Sequence, residues 1–142
     1  MEYTVNTAAI FAAAFANFVV GAIWYTPLFG QAWARELKLD TSVKPDGKFM
    51  AKALALSLLG NLILSWVLAW TMAAWQFLPG AADVPPIVNG SRTAFFLWLG
   101  FYVPLLISSK TWEGRSWKLI GINGGYYFVT LLTAALILAY WK

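Results

Sequence analysis

The sequence contains no cysteine and no histidine. Without cysteine there is no disulfide, no thiolate metal ligand and no thiol nucleophile, and the redox compartment stays open. Without histidine the usual general base and the commonest metal ligand are missing. Charge is scarce too: 11% of residues are charged, against roughly a quarter in soluble domains. No Asp, Glu, Lys or Arg falls near the middle of a long apolar run. That counts against proton-coupled transport and pumping, which place ionisable groups in the bilayer despite their cost. There is no nucleophile–base pair, no fixed pair of carboxylates, no metal cluster and no phosphate-binding glycine pattern. An intramembrane enzyme is therefore disfavoured, and no cofactor is expected.

What the sequence has is apolar surface. Hydrophobic residues make up 61% of the 142 residues, more than a compact soluble fold of this size can hide. A helix needs about 20 apolar residues to cross the hydrocarbon core. Four runs meet or approach that length, at about 3–25, 53–78, 93–109 and 119–141. In lipid every backbone polar group needs an internal partner, so uncharged runs this long are helices. The reading is an all-α integral membrane protein, 1–142 as one transmembrane domain, built as a bundle of four helices. The acidic start Met1-Glu2 and the lack of a following polar domain argue against a cleaved signal peptide.

Eight of the ten Lys and Arg lie in two connections: Arg35, Lys38, Lys44, Lys48 and Lys52 in one, Lys110, Arg115 and Lys118 in the other. Arg92 and Lys142 belong to the opposite side. The positive-inside rule then places the basic loops 26–52 and 110–118 in the cytoplasm and both termini outside. A bacterial cytoplasmic membrane is the expected location, the bilayer the expected partner, and nucleic acid is not expected. Within the first basic loop, Phe29, Trp33 and Leu37 recur at i+4, the pattern of a short amphipathic helix on the inner membrane surface. Lys44-Pro45-Asp46-Gly47 reads as a turn. The outer loop "PGAADVPPIVNGSR" reads as irregular.

"GAIWYTPLFGQAW", residues 21–33, is dense in aromatics. Trp and Tyr favour the headgroup layer. Trp24, Tyr25, Trp33, Tyr102, Trp112 and Trp117 fall at the inner boundary, and Tyr3, Trp70, Trp75, Tyr140 and Trp141 at the outer one. The first reading is therefore an interfacial anchor. A second reading, the wall of a site, rests on an echo: Tyr25-Thr26-Pro27-Leu28 ends the first span and Tyr102-Val103-Pro104-Leu105 falls near the end of the third. Each Pro removes one backbone bond and frees a carbonyl, that of Ile23 or of Gly100. The echo also suggests two parallel hairpins, 1–78 and 93–142.

Amide, hydroxyl and small residues recur at helical spacing: Ala9, Ala13, Asn17 and Gly21 in span one; Ser57, Asn61 and Ser65 in span two; Gly121 and Gly125 beside Asn123 in span four. These stripes serve as helix–helix glue, or they line a polar path for a neutral or lipid-like ligand. In "SSKTWEGRSWK", Glu113 and Arg115 flank Gly114. They form an interfacial ion pair pinning a turn, or Arg115 with Lys110 and Lys118 contacts an anion.

Together, "GAIWYTPLFGQAW" and "WEGRSWKLIGINGGYYFV" resemble a bacterial and fungal membrane-protein family catalogued as domain of unknown function 1761. The matching residues are Gly21, Trp24, Tyr25, Pro27, Leu28, Phe29, Gly30 and Trp33, then Glu113, Gly114 and Arg115. The resemblance implies a small four-helix membrane protein and brings no agreed activity. We expect the two motifs to touch, with Arg115 or Glu113 satisfying the carbonyls freed by Pro27. The candidate ligand residues are Trp24, Tyr25, Asn17, Ser57, Asn61, Tyr102, Glu113, Arg115 and Asn123. Gly21, Pro27, Phe29, Gly30, Trp33, Pro104 and Gly114 are expected to shape the motif. The leading function is binding or passage of a small neutral or lipid-like ligand near the cytoplasmic face; the rival is a structural or accessory subunit. Leftover apolar faces suit a homo-oligomer, with a dimer favoured.

Overall fold

The computed structural model describes residues 4–142; Tyr3, expected to start the first span and join the outer aromatic belt, lies outside that range. Six α-helices account for most of the described chain: α1 Thr7–Ile23, α2 Gly30–Glu36, α3 Gly47–Trp75, α4 Pro86–Leu97, α5 Val103–Glu113 and α6 Trp117–Tyr140. Two π-helical turns, Trp24–Leu28 and Trp98–Tyr102, extend α1 and join α4 to α5. Four continuous helical stretches are long and apolar enough to cross a membrane: Thr7–Leu28, Gly47–Trp75, Pro86–Glu113 and Trp117–Tyr140. The chain is an integral membrane protein by that criterion.

Two helix starts fall well before the expected ones. The second span starts at Gly47 rather than at 53. The helix takes in Lys48 and Lys52, because lysine stems lie along an apolar helix while their heads reach the interface. Asp46 sits at the N-cap with extended backbone, so the Lys44–Gly47 turn ends in helix and Gly47 has no need of positive φ. The third span starts at Pro86 rather than at 93, because a proline at the first helical position has its φ already set. Only the first part of the expected irregular outer loop is loop, closed by a 3₁₀ turn at Ala81–Asp83.

Small residues bring the helices together. α6 packs between α1 and α4, and α3 packs chiefly on α1. The core is alanine-rich, with Ala13, Ala94, Ala134, Ala135 and Ala139 around Leu68, Met72 and Leu131. A Cβ at Gly90 would come within 3.1 Å of the Ala135 carbonyl oxygen, so α4 and α6 meet backbone to backbone there. Close backbones maximise dispersion contacts, the main cohesive force between helices in lipid. α3 and α4 scarcely meet. The other three spans therefore enclose α6 incompletely, and an open side remains between α3 and α4.

Candidate functional site

The π-turn at Trp24–Leu28 answers the question of Pro27. A five-residue π-helix closes with successive i→i−5 bonds, one of which joins the Phe29 N–H to the Trp24 carbonyl at 2.8 Å. The widened turn absorbs the missing proline donor within the backbone. The expected rescue by Glu113 or Arg115 does not occur: Arg115 Nε pairs with Glu113 Oε2 at 3.2 Å, and both side chains are exposed. Gly114 has φ +68, and its left-handed conformation ends α5. The Glu-Gly-Arg segment is thus a helix stop with a local ion pair. Gly30 has its own cause, since a Cβ there would stand 2.6 Å from the Tyr25 carbonyl oxygen.

The motif's aromatics turn inward onto α6. Trp24 Nε1 donates to the Ile122 carbonyl at 3.0 Å, and Tyr25 donates its hydroxyl proton to Asn123 Oδ1 at 2.8 Å. From the other side, Trp98 Nε1 donates to the Gly124 carbonyl at 2.9 Å. A helical carbonyl has a second lone pair, so it takes an indole N–H without giving up its own helix bond. Glycine permits the approach. A Cβ at Gly125 would lie 3.0 Å from the Trp24 ring, one at Gly124 3.0 Å from Leu106, and one at Gly21 3.2 Å from the Tyr126 hydroxyl. Gly121 has open space around it, so the tight pair is Gly124–Gly125 rather than Gly121–Gly125.

Aromatic contacts extend the cluster. Tyr25 meets Tyr126 at 4.9 Å and Trp33 at 5.5 Å between ring centroids. Tyr102 meets Tyr127 at 4.8 Å, and Trp24 meets Phe29 at 4.6 Å. Phe29 and Trp33 are therefore spent on internal packing, and α2 folds back beside α6 instead of presenting its apolar stripe to the membrane surface. Glu36 completes the latch: it accepts from Ser116, the N-cap of α6, and lies 4.0 Å from Lys118 Nζ. A carboxylate at a helix N-terminus also meets the positive end of the helix dipole.

A family model described as a protein of unknown function (DUF1761) covers residues 8–139. The chain belongs to that family. No curated protein and no solved structure matches it.

In this DUF1761 chain the expected site residues separate into four groups. Trp24, Tyr25, Tyr102 and Asn61 converge on α6, where Trp24 meets the Ile122 carbonyl, Tyr25 meets Asn123 and Tyr126, Tyr102 meets Tyr127, and Asn61 lies beside the Tyr126 side chain. Ser57 is exposed and contributes its backbone carbonyl, which accepts from Asn61 Nδ2 at 2.9 Å. Glu113 and Arg115 stand apart on the exposed turn, and Pro104 lies in the first turn of α5 just after the second π-turn. Asn17 is fully buried, and neither its Oδ1 nor its Nδ2 has a hydrogen-bond partner among the described residues; Ser65 and Thr93 hydroxyls are similarly placed.

Trp98, Tyr126, Tyr127 and Glu36 carry contacts that sequence reasoning left out. Trp98 fits neither interfacial belt, and the adjacent tyrosines of "GGYYF" sit inside a span. A polar-tipped ring at that depth needs a partner, which is the signal that was there to be read. Of the expected inner belt, Trp112 and Trp117 do face outward, at 85% and 68% exposure. Among the described residues no three acidic side chains converge as a metal site would require.

A sizeable unfilled volume lies elsewhere. Where α3 and α4 fail to close, an open groove of about 640 Å³ runs from Gly60 past Val67 to Trp75 on α3. Leu97, Phe101 and Tyr102 form the facing wall, and Leu131 of α6 the floor. Its volume lies in the ~300–1,000 Å³ range of small-ligand sites.

Proposed function

We propose that this protein binds the acyl chain of a lipid in the lateral groove between α3 and the α4–α5 span, without catalysing a reaction. The observation that carries the reading is the separation of α3 from α4, which leaves an apolar trough while the polar groups at the basic end are paired among themselves. Tyr102 links the two regions, with one side on the groove and its ring against Tyr127. The basic connections face the cytoplasm on this reading, and the groove opens to the bilayer toward the opposite face. The test is photocrosslinking with a fatty acid bearing a diazirine on its chain, in membranes containing the full chain. Labelling of Val67 or Phe101, lost in Val67→Trp, supports the reading. Labelling spread evenly over the lipid-facing side of α3 overturns it.

The rival reading is a subunit that self-associates, with α3 of a second copy seated in the same trough. It draws on the exposed apolar side chains of α3, including Leu58, Ile63 and Trp66. Those side chains suit lipid equally well, so the groove itself favours the lipid.

A further inference from the structure

We infer that the lipid held in the groove is an anionic phospholipid, and that Arg92 holds its phosphodiester at the groove's outer end. This rests on the groove reading and adds the chemistry of the headgroup.

A second cavity of about 300 Å³ lies beneath the loop after α3 and shares Trp75 with the groove. Its other walls include Gly80 and Val84 of the loop and Asn89, Arg92 and Phe96 of α4. The loop folds over because Gly80 takes φ +79, a conformation open to glycine. The apolar trough thus adjoins, at Trp75, a cavity lined by a guanidinium and an amide. That is the layout of a chain site topped by a headgroup site.

Depth agrees. The Pro86–Glu113 stretch has 28 residues, about 42 Å at 1.5 Å per residue. It exceeds the ~30 Å hydrocarbon core by about 6 Å at each end. Arg92 lies six residues after Pro86, so its Cα sits about 9 Å along the helix. That places the Cα a few ångströms below the boundary, and a long arginine side chain reaches back to phosphate level.

Charge agrees as well. Among the described residues no carboxylate lies within ion-pair distance of Arg92, whereas Arg115 and Lys118 each have one. Asp83 belongs to the same loop but does not line the cavity. A cation at the edge of hydrocarbon needs an anion or water, and a guanidinium matches phosphate oxygens with two parallel N–H bonds. Asn89, one turn before Arg92, adds a side-chain donor at the same cavity.

Native mass spectrometry of the full chain in detergent tests this, with phosphatidylglycerol and diacylglycerol of identical chains as probes. The wild type should prefer phosphatidylglycerol about tenfold, the scale of one charge-assisted hydrogen-bond pair. Arg92→Gln should remove that preference and leave diacylglycerol binding unchanged, and Arg92→Lys should retain part of it. Val67→Trp should weaken both lipids. Inorganic phosphate at millimolar concentration should not displace the lipid; displacement would mean a free-anion site and overturn the inference. Equal phosphatidylglycerol binding by wild type and Arg92→Gln, with Val67→Trp still weakening it, overturns the headgroup assignment while the groove reading stands. If neither lipid binds the wild type, or if lipid-free dimers dissolve in Val67→Trp, the groove reading fails and takes this inference with it.

Discussion

The bond between Tyr25 and Asn123 decides how the signature motif works. Tyr25→Phe removes one hydroxyl and the 2.8 Å hydrogen bond to Asn123 Oδ1, and keeps the ring. The contacts with Tyr126 and Trp33 should survive, because both are ring contacts. Interhelical hydrogen bonds in membranes average about 0.6 kcal/mol and reach about 1.7. A half-buried amide oxygen left without its donor belongs in the upper part of that range, so we expect a coupling of about 1 kcal/mol between Tyr25→Phe and Asn123→Ala. Tyr25→Ala should cost more, since each lost ring contact adds about 0.5–1.5 kcal/mol. The same cycle with Arg115→Ala should couple by less than about 0.3 kcal/mol, as expected for residues that share no partner. Arg115 is held by Glu113 on an exposed turn. The assay is reversible unfolding in mixed micelles, followed by tryptophan fluorescence. Coupling to Arg115 that equals coupling to Asn123 would refute the assignment and restore the Glu-Gly-Arg turn as the motif's partner.

Gly30→Ala should destabilise by about 1–3 kcal/mol, the range for forced backbone shifts, because its Cβ would press on the Tyr25 carbonyl; Gly121→Ala, in open space, should be neutral or stabilising in the same assay. Glu36→Gln should weaken the latch on Ser116 and Lys118 and speed amide exchange in α2 without altering the α1–α6 contact; unchanged exchange in α2 counts against the latch. Asn17→Leu keeps the branch at Cγ and removes two unpaired polar atoms, so stability should hold or rise, and a loss above about 1 kcal/mol would reveal a partner for the amide. Asp40 accepts from the hydroxyl and amide of Ser42, and both lower its pKa. A depressed carboxyl pKa supports the folded loop above the unfolded value, and that support disappears as pH falls through the folded value. Ser42→Ala should raise the Asp40 midpoint in a carbon-13 carboxyl titration; an unmoved midpoint would dismiss the hydroxyl's role.

The four spans were legible because a long uncharged run has few alternatives in lipid. Their ends were not. Lys48 and Lys52 looked like a boundary, yet α3 runs beneath them; Pro85-Pro86 looked like loop, yet it starts α4. A charge before an apolar run does not mark a helix end, and a proline can open a helix as readily as follow one. The π-turns were out of reach because five residues change the helical period too little to see. Only the prolines hinted at them, and the hint pointed at freed carbonyls rather than at a changed register. The role of Trp24 depended on what stands opposite. An indole at this depth serves equally as a headgroup anchor or as a donor to a buried carbonyl, and the Gly124–Gly125 gap in α6 makes the second possible.

The polar inventory then constrains the ligand. At the basic end the indoles of Trp24 and Trp98, the Tyr25 hydroxyl and the Asn61 amide all donate within the protein. A polar solute entering there would have to break those bonds before making its own, and each broken bond leaves a buried group unpaired at about 1–3 kcal/mol. The groove imposes no such cost. Its walls are chiefly Ile63, Leu64, Val67, Leu97 and Phe101, the Thr71 hydroxyl is spent on the Val67 carbonyl, and a cation lines the cavity beside its Trp75 end. A methylene chain fills it by exchanging lipid contacts for protein contacts, so little is gained from the chain alone. Selectivity must then come from the end that carries charge. If the proposed groove holds a lipid, Arg92, rather than the Trp24–Trp33 stretch, is therefore the residue whose loss should change which lipid is held.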